Sequence, residues 1–195
     1  PDAVVNGPFV RLTYAESMER FGTDKPDIRF GMELTTITET AATSDARVFQ
    51  AVASSGGSIR GFVSPGCGDY GRKQTDNLTE FAKSSGAQGL VFIALDESAP
   101  SIEGLEDDHI KSPLKKFLSL DVIKKMATEM GAEPGDLMLI VAGTSKLVNT
   151  VLSNLRNEMA KRLEMVDPKN LAFSWVYDFP LFEWDEDLKK YEPAH

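Results

Sequence analysis

Few side chains in this sequence have the type and spacing that catalysis or metal binding requires. The two histidines, His109 and His195, lie far apart, and His109 stands alone between an acidic and a basic stretch. Cys67 lies in the glycine-rich run SPGCGDYGRK, where the start of a helix could bind an anion or lower the pKa of a thiol. The Gly-Lys-Ser/Thr of a P-loop does not follow. We therefore interpret His109 as a surface residue and the Cys67 segment as a tight turn.

Acidic side chains are more frequent, but they form no recognisable site. The run EGLEDD could hold a cation, yet it lacks the glycine position and the terminal glutamate of a calcium loop. Asp178 and Glu183 in DFPLFEWDED are close enough in sequence to act as paired carboxylates, but no partner base accompanies them. The sequence therefore predicts no catalytic residue and no metal site.

The charge is unevenly distributed along the chain. The net charge of -9 argues against a protein whose whole surface binds nucleic acid. Residues 96–108 are acidic, whereas the segments that follow carry clustered basic side chains. The candidates for contact with RNA are Lys111, Lys115, Lys116, Lys124, Arg156, Lys161 and Arg162. Solvated helix faces explain the same pattern, and we favour that interpretation.

Composition excludes several classes of protein. The chain has 195 residues, of which 42% are hydrophobic and 26% are charged, which is ordinary for a folded globular protein. Its longest apolar runs have the length of strands, so we expect no membrane span. One cysteine excludes an internal disulfide, and no signal peptide opens the chain. We expect a cytoplasmic protein.

Helices and strands alternate along the chain. Thr13 and Glu16 predict a capping box for a first helix that ends at Gly22. Further helices are predicted at 44–57, 71–86, 112–118, 119–131 and 145–163, and strands at 30–38, 58–66, 89–96, 135–143 and 171–184. The order lacks the strict repeat of a doubly wound sheet. We expect residues 33–142 to form an α+β unit with two layers, in which helices lie on one face of a sheet.

The run RFGTDKPDIRF, residues 20–30, is a charged turn around Pro26. Proline excludes the preceding residue from the helical region, so the first helix stops before it. One interpretation is a hinge whose Arg and Asp side chains pair with a protein body outside this chain. The other is a local turn held by Phe21 and Phe30.

Several stretches resemble bacterial aspartyl-tRNA synthetases of class II. RLTYAESMERFGTDKPDIRFGMEL is similar to the segment that leads from their catalytic domain into a large insertion, and AFSWVYDFPLFEWDED to the strand that returns. Between them, GGSIRGFVSPG, GRKQTDNLTEFAKSSGAQGL, SPLKKFL and GAEPGDLMLIVAG resemble the inserted GAD domain. The resemblance covers about residues 8–195.

The resemblance implies a fragment that is inactive on its own. It implies a catalytic flank and hinge at 1–32, a GAD domain at 33–142, and a long helix with the return strand at 143–195. The GAD fold implied is a sandwich with helices on one face of a mainly antiparallel sheet. His195 aligns with the first histidine of a His-His-Pro-Phe-Thr loop and would contact L-aspartate. Phe179, Leu181 and Phe182 would pack on the absent catalytic sheet and be exposed here.

The same resemblance implies what the longer enzyme does. It would activate L-aspartate with ATP and Mg²⁺ and charge a tRNA, as a homodimer, whereas this chain would hold no cofactor. One rival is a tRNA-binding or docking module of a tRNA-dependent amidotransferase, in which GAD domains also occur. Another is a structural spacer. The flanks TYAESMERFGTDKPD and VYDFPLFE favour the synthetase over the amidotransferase.

Overall fold

The computed structural model describes residues 4–5, 8–185 and 188–194. Within these residues the helices are α1 (Tyr14–Phe21), α2 (Thr38–Ala42), α3 (Arg47–Ser54), α4 (Arg72–Ser84), α5 (Leu120–Met130) and α6 (Ser145–Arg162). The strands are β1 (Val4–Val5), β2 (Val10–Thr13), β3 (Thr35–Thr36), β4 (Ser58–Ser64), β5 (Val91–Leu95), β6 (Ile110–Lys111), β7 (Leu137–Gly143), β8 (Asn170–Leu171), β9 (Ser174–Tyr177), β10 (Phe182–Asp185) and β11 (Lys190–Pro193). None of these helices is both long and apolar enough to span a bilayer.

The helix ends follow the residues that cap them. At α1 the Thr13 hydroxyl accepts from the Glu16 amide, and the Glu16 carboxylate accepts from the Thr13 amide at 2.7 Å. The predicted capping box is thereby confirmed. Gly22 ends α1 and Gly131 ends α5, both in the left-handed conformation that glycine adopts at little cost. These caps fix the ends of two helices that position other elements.

One five-stranded sheet organises the middle of the chain, in the order β3-β4-β7-β5-β6. Every neighbouring pair in it is antiparallel. The longest pairing joins β4 to β7 over seven residues, from Ser58 opposite Gly143 to Ser64 opposite Leu137. The predicted α+β class with a mainly antiparallel sheet is confirmed.

Helices cover both faces of this sheet, which corrects the expectation of helices on one face. Ile59, Ile93 and Ile140 point to a core built with α2, α3 and α5. Phe62 and Leu139 point the other way, to a core built with α4 and α6. Side chains alternate along a strand, so apolar residues at both parities need cover on both sides. We call this three-layer body, residues 33–163, the central unit.

Helix α6 supplies much of the second core although it follows residue 142. Val148, Val151, Leu152, Leu155 and Met159 are all buried against the sheet. The domain boundary at residue 142 stays a prediction. In packing terms, α6 is part of the central unit.

The two ends of the chain meet in small separate sheets. β2 pairs with β9 in parallel, β1 pairs with β8 in parallel, and β10 pairs with β11 as an antiparallel hairpin. The strand predicted at 171–184 is interrupted, because Asp178 has a positive φ of 57° and Pro180 follows. We call β1, β2 and β8–β11 the flanking strands. Residues 14–32, which comprise α1 and the charged turn, are called the seam.

Candidate functional site at the seam and the flanking strands

Arg156, on α6 of the central unit, makes the most extensive contacts with the seam of any charged residue described. It projects from α6 and is 1% exposed. Its Nη2 group donates to the carbonyl oxygens of Asp27, Phe30 and Gly31 at 2.8, 3.0 and 2.9 Å. Its Nε donates to the carbonyls of Gly31 and Met32 at 3.2 Å. One guanidinium therefore satisfies four backbone carbonyls of the charged turn.

Two aromatic rings enclose the same guanidinium. Its central carbon lies 4.8 Å from the ring centre of Phe21 and 4.1 Å from that of Phe30. Burial lowers the pKa of Arg156 to about 10, while Asp27 and Glu33 oppose the shift. A side chain enclosed in this way cannot meet a phosphate group. The assignment of Arg156 as a contact for tRNA is therefore corrected: it is a structural anchor.

The other charges of the turn pair with one another. Arg29 binds Asp27 through Nη2 and Oδ2 at 2.6 Å, and Arg20 binds Glu33 through Nε and Oε2 at 2.8 Å. The hydrogen bond from Arg29 lowers the pKa of Asp27, and that from Arg20 lowers the pKa of Glu33. These pairs support the interpretation as a local turn, and pairing with an outside body stays a prediction. Phe21 and Phe30 hold the turn, with Arg156 between them.

A second buried arginine, Arg60, was missed by the sequence reasoning. It lies on β4, is 4% exposed, and donates through Nη1 to the Met18 carbonyl and the Asn149 side-chain oxygen. Its Nη2 donates to the Glu19 carbonyl. Desolvation lowers the pKa of Arg60. The sequence does contain a signal for a buried arginine, since Arg60 interrupts the apolar alternation of SIRGFVS.

The remaining basic candidates form two groups that the fold keeps apart. Lys111, Lys115, Lys116 and Lys124 lie around the acidic segment, where Lys124 donates to the Glu103 carbonyl at 2.6 Å and Lys115 to the Asp107 carbonyl. Lys161 and Arg162 end α6, which covers one face of the sheet, whereas Lys124 lies on α5, which covers the other. No single surface of the described residues therefore collects all the predicted contacts.

Two clefts border these groups. One, of about 570 Å³, lies between the charged turn and the end of α6 and is lined by Arg29, Phe30 and Lys161 together with Asp27 and Glu164. The other, of about 390 Å³, is lined by Lys111, Asp69, Asp96, Glu97 and several glycines. Both clefts carry both signs of charge. Neither is a dedicated pocket for an anion.

The isolated histidine and cysteine have local partners. The Nδ1 atom of His109 accepts from the Glu106 amide at 3.0 Å. The Cys67 thiol is buried, 3.3 Å from the Ser64 hydroxyl. Burial, followed by the contact with Cys67, raises the pKa of Tyr70 to about 12. Among the described residues, no group of three or more His, Cys, Asp or Glu side chains is placed to hold a metal ion.

Glu183 accepts a hydrogen bond from a residue that is distant in sequence, which the sequence analysis did not predict. The Tyr14 hydroxyl, at the start of α1, donates to Glu183 Oε1 at 2.9 Å. Burial, and then this hydrogen bond to a carboxylate, raises the pKa of Tyr14 to about 12. The Tyr14 ring also lies 5.1 Å from that of Phe179. The contact joins the seam to the β10 strand.

The flanking strands expose large apolar side chains. Leu181 is 82% exposed, Trp175 62% and Phe182 59%. The predicted exposure of Leu181 and Phe182 is confirmed, whereas Phe179 is half-buried. His195, the predicted contact for aspartate, lies outside the described residues, so its assignment stays a prediction.

Known proteins resemble this chain in both regions. A family model described as "GAD domain" matches residues 49–152, more than half of the chain. The aspartate–tRNA(Asp/Asn) ligase of Dehalococcoides mccartyi (strain CBDB1) is 46% identical over 195 residues, which are 100% of this chain and 33% of that protein. The enzyme of the same name from Thermoanaerobacter sp. (strain X514) is 45% identical over 96% of this chain and 30% of its own length.

A third relative also matches nearly the whole of this chain. The aspartate–tRNA(Asp/Asn) ligase of Geotalea uraniireducens (strain Rf4) is 42% identical over 99% of this chain and 31% of its own length. The chain therefore spans about a third of the length of the curated relatives it matches. The matched residues 49–152 include four strands of the five-stranded sheet, β4 to β7, helices α4 and α5, and parts of α3 and α6. By this match the chain belongs to the GAD domain family.

Proposed function

We propose that this chain is the GAD insertion of an aspartate–tRNA ligase together with the strands that join the insertion to the catalytic domain. The observation that carries the proposal is the extent of the similarity. The identity to ligases covers the whole chain, including the flanking strands outside residues 49–152. An enzyme of this kind activates L-aspartate with ATP and Mg²⁺ and charges a tRNA, and it works in the cytoplasm as a homodimer.

The exposed face of the flanking strands supports the same proposal. A two-stranded parallel ribbon is a poor structure by itself, because parallel sheets are normally covered on both faces. Here β2 and β9 form such a ribbon, and Trp175 on it is 62% exposed. An apolar surface of this kind marks an interface. In the proposal, the catalytic domain of the longer enzyme covers it.

The proposal assigns no step of the reaction to the described residues. They include no carboxylate cluster placed for Mg²⁺, and Arg60 and Arg156, the two buried arginines of the central unit, are committed to backbone carbonyls. In the proposal, ATP and Mg²⁺ bind elsewhere in the longer enzyme. His195 alone would reach the aspartate, from a loop completed by residues beyond this chain.

The first experiment measures ATP–pyrophosphate exchange in the presence of L-aspartate. We expect the 195-residue chain to match a buffer blank and a longer protein that includes it to exchange. Exchange above the blank by the chain alone would contradict the assignment as an inactive insertion. Absence of exchange in the longer protein would contradict the ligase.

Contact with tRNA is the finer part of the proposal. With Arg156 excluded from the set, the candidates are Lys111, Lys115, Lys116 and Lys124 around the acidic segment, and Lys161 and Arg162 at the end of α6. Each phosphate neutralised adds an increment of roughly 0.9 to the slope of log affinity against log salt concentration. The net charge of -9 means that binding by the isolated chain is weak.

The two groups make a sharp test because they lie on different elements of the fold. Labelled tRNA-Asp is titrated at low and moderate salt against the wild type, a variant with the four lysines changed to Ala, and a variant with Lys161 and Arg162 changed to Ala. Lys83→Ala, which removes a surface pair with Glu80 on α4, is the control. Loss of affinity in one of the two variants identifies the group of basic residues that binds. Equal affinity in all four proteins would favour a structural spacer.

The amidotransferase module remains the alternative. It predicts binding of tRNA without any exchange reaction in the longer protein. The full-length similarity to ligases, which includes the flanking strands, weighs against it.

A further inference from the structure

Arg60 ties the central sheet to the C-terminal end of α1. The last carbonyls of a helix have no partner within the helix, and a cation there is also favoured by the helix dipole. Arg60 donates to the carbonyls of Met18 and Glu19, both in the last turn of α1. Asn149 on α6 holds the same guanidinium through its side-chain oxygen. The position of this helix end is therefore set by two elements of the central unit, β4 and α6.

The other end of α1 contacts the flanking strands. Tyr14 is the first residue of the helix, and its hydroxyl donates to Glu183 on β10. The Tyr14 ring packs against Phe179, which lies between β9 and β10. A helix of eight residues is about 12 Å long. Within that distance α1 connects Arg60 to Glu183.

The caps and the packing of α1 allow a displacement of one end of the helix to reach the other. Its first turn is closed by the Thr13–Glu16 capping box. Its end is held at Gly22, where an added Cβ would lie 2.7 Å from the Asn149 carbonyl oxygen. A short helix that is capped at both ends and packed closely at one of them moves as a unit. A displacement of the helix end that Arg60 holds therefore displaces Tyr14 as well.

We propose that Arg60 is a positioning residue for Glu183: the central unit sets the place of β10 through Arg60, α1 and Tyr14. The coupling concerns the geometry of this chain and does not depend on the reaction. Its functional meaning rests on the proposed function, because Glu183 lies on the segment that leads to His195. In that setting the inserted unit aligns the hairpin that precedes His195 in the chain, the residue proposed to contact aspartate.

The test uses the 195-residue chain without substrate. Trp184 on β10 reports the hairpin, and Trp175→Phe makes it the only tryptophan, since the sequence contains two. In this background Arg60→Gln is compared with Asn149→Ala, a milder change that removes only the side-chain oxygen that holds Arg60. Ile140→Val, in the core on the other face of the sheet, controls for general loss of stability.

Two readouts are recorded, quenching of Trp184 by acrylamide and amide hydrogen exchange of α1, β7 and the β10–β11 hairpin. We expect Arg60→Gln to speed exchange in α1 and in the hairpin by about tenfold or more and to leave β7 unchanged. Asn149→Ala should do the same to a smaller degree, which keeps the test valid if Arg60→Gln fails to fold. Faster exchange in α1 with an unchanged hairpin would overturn the proposal. So would equal effects on all three elements, the pattern expected for Ile140→Val.

A double-mutant cycle separates positioning from simple support. Tyr14→Phe removes the hydrogen bond to Glu183 and should loosen the hairpin in the wild-type background. If α1 carries the coupling, Tyr14→Phe adds nothing once Arg60→Gln is present, because neighbouring links in one chain are not additive. Additive effects of the two changes on Trp184 quenching would refute it. The absence of ligase activity in a longer protein would contradict the proposed function and leave this result unaffected.

Discussion

Two phenylalanines show how differently the central unit and the flanking strands use the same kind of residue. Phe62 on β4 is fully buried between the sheet and helices α4 and α6. Phe182 on β10 is 59% exposed. Both are large apolar residues on strands, so the type of residue does not determine whether its own chain covers it. The central unit contains its covering helices, whereas the described part of the chain leaves large apolar side chains of the flanking strands exposed.

The seam resembles the central unit and not the flanking strands. Its charged side chains are satisfied within this chain, by Arg156 from α6 and by pairs such as Arg29 with Asp27. The most exposed of the large apolar side chains lie on or beside the flanking strands and not in the seam. The border between the self-sufficient region and the dependent one therefore runs along α1.

The largest expected effect compares the two phenylalanines directly. Phe62→Ala should lower the free energy of unfolding by about 3–5 kcal/mol, because it opens a cavity in a closed core. Phe182→Ala, the matched control, should change it by less than about 0.5 kcal/mol in the isolated chain. Denaturation by urea, followed by far-UV circular dichroism, measures both. Equal losses would mean that the flanking strands are as well covered as the core.

The second comparison uses two arginines of one helix. Arg156→Met should cost about 3 kcal/mol, because buried carbonyls of the turn lose their donor. Arg162→Met removes a partly exposed pair with Glu158 and should cost about 1 kcal/mol or less. The same denaturation experiment applies. A small loss for Arg156→Met would show that water can replace the guanidinium, and the seam would then be looser than its hydrogen bonds indicate.

Two glycines of the seam give a smaller contrast. Gly22→Ala should cost about 2 kcal/mol, because Gly22 has a φ of 69° and its added Cβ would approach the Asn149 carbonyl. Gly31→Ala should be within about 0.5 kcal/mol of the wild type, since an added Cβ there meets no atom within 4 Å. Thermal unfolding ranks the two variants. The reverse order would place the close contact of the seam somewhere other than at the end of α1.

The smallest expected effect is the response of the seam to acid. The hydrogen bond from Arg29 lowers the pKa of Asp27 in the folded state. The contribution of this pair is therefore complete above the ordinary pKa of the carboxyl and is lost as the pH falls through the lower folded value. Asp27→Asn should remove that part of the acid dependence, with a difference of less than about 1 kcal/mol at neutral pH.

Unfolding free energies between pH 2 and 6 test the acid response, with Asp76→Asn as the control. Asp76 pairs with Arg72 on the surface of α4, where both side chains are largely exposed. Its replacement should leave the acid limb of the wild type unchanged. If Asp27→Asn and the wild type lose stability in parallel, the pair with Arg29 contributes nothing to the seam.

The sequence was sufficient to place most elements of the central unit. The predicted helix at 145–163 corresponds to α6 (Ser145–Arg162), and the apolar run at 135–143 to β7 (Leu137–Gly143). Their periodicity and their length carry the information. The cover on both faces was also encoded, since LMLIVAG is apolar at both parities, as in strands buried on two sides. We interpreted this pattern as a buried strand and did not infer from it a second layer of helices.

The seam was harder to predict because its partners are distant in sequence. Arg156 follows Val148 and Leu152 at intervals of four, so it lies on a buried stripe of α6 and not on a solvated face. Its acceptors are the carbonyls of a turn at residues 27–32, which no local pattern connects to α6. Charge alone placed Arg156 among the contacts for tRNA. The helical spacing of its apolar neighbours was the better guide.

The parallel pairing of β2 with β9 has a consequence for the order of folding. Val10 lies opposite Ser174, and everything between the two strands forms one long crossover connection. Closing a flexible loop of such length costs about 4–5 kcal/mol in chain entropy, apart from a constant term. Folding of the central unit brings Arg156 to the Met32 carbonyl, which shortens the connection that remains to be closed and lowers that cost. During synthesis β2 leaves the ribosome first, yet it must wait for the whole central unit before its partner arrives.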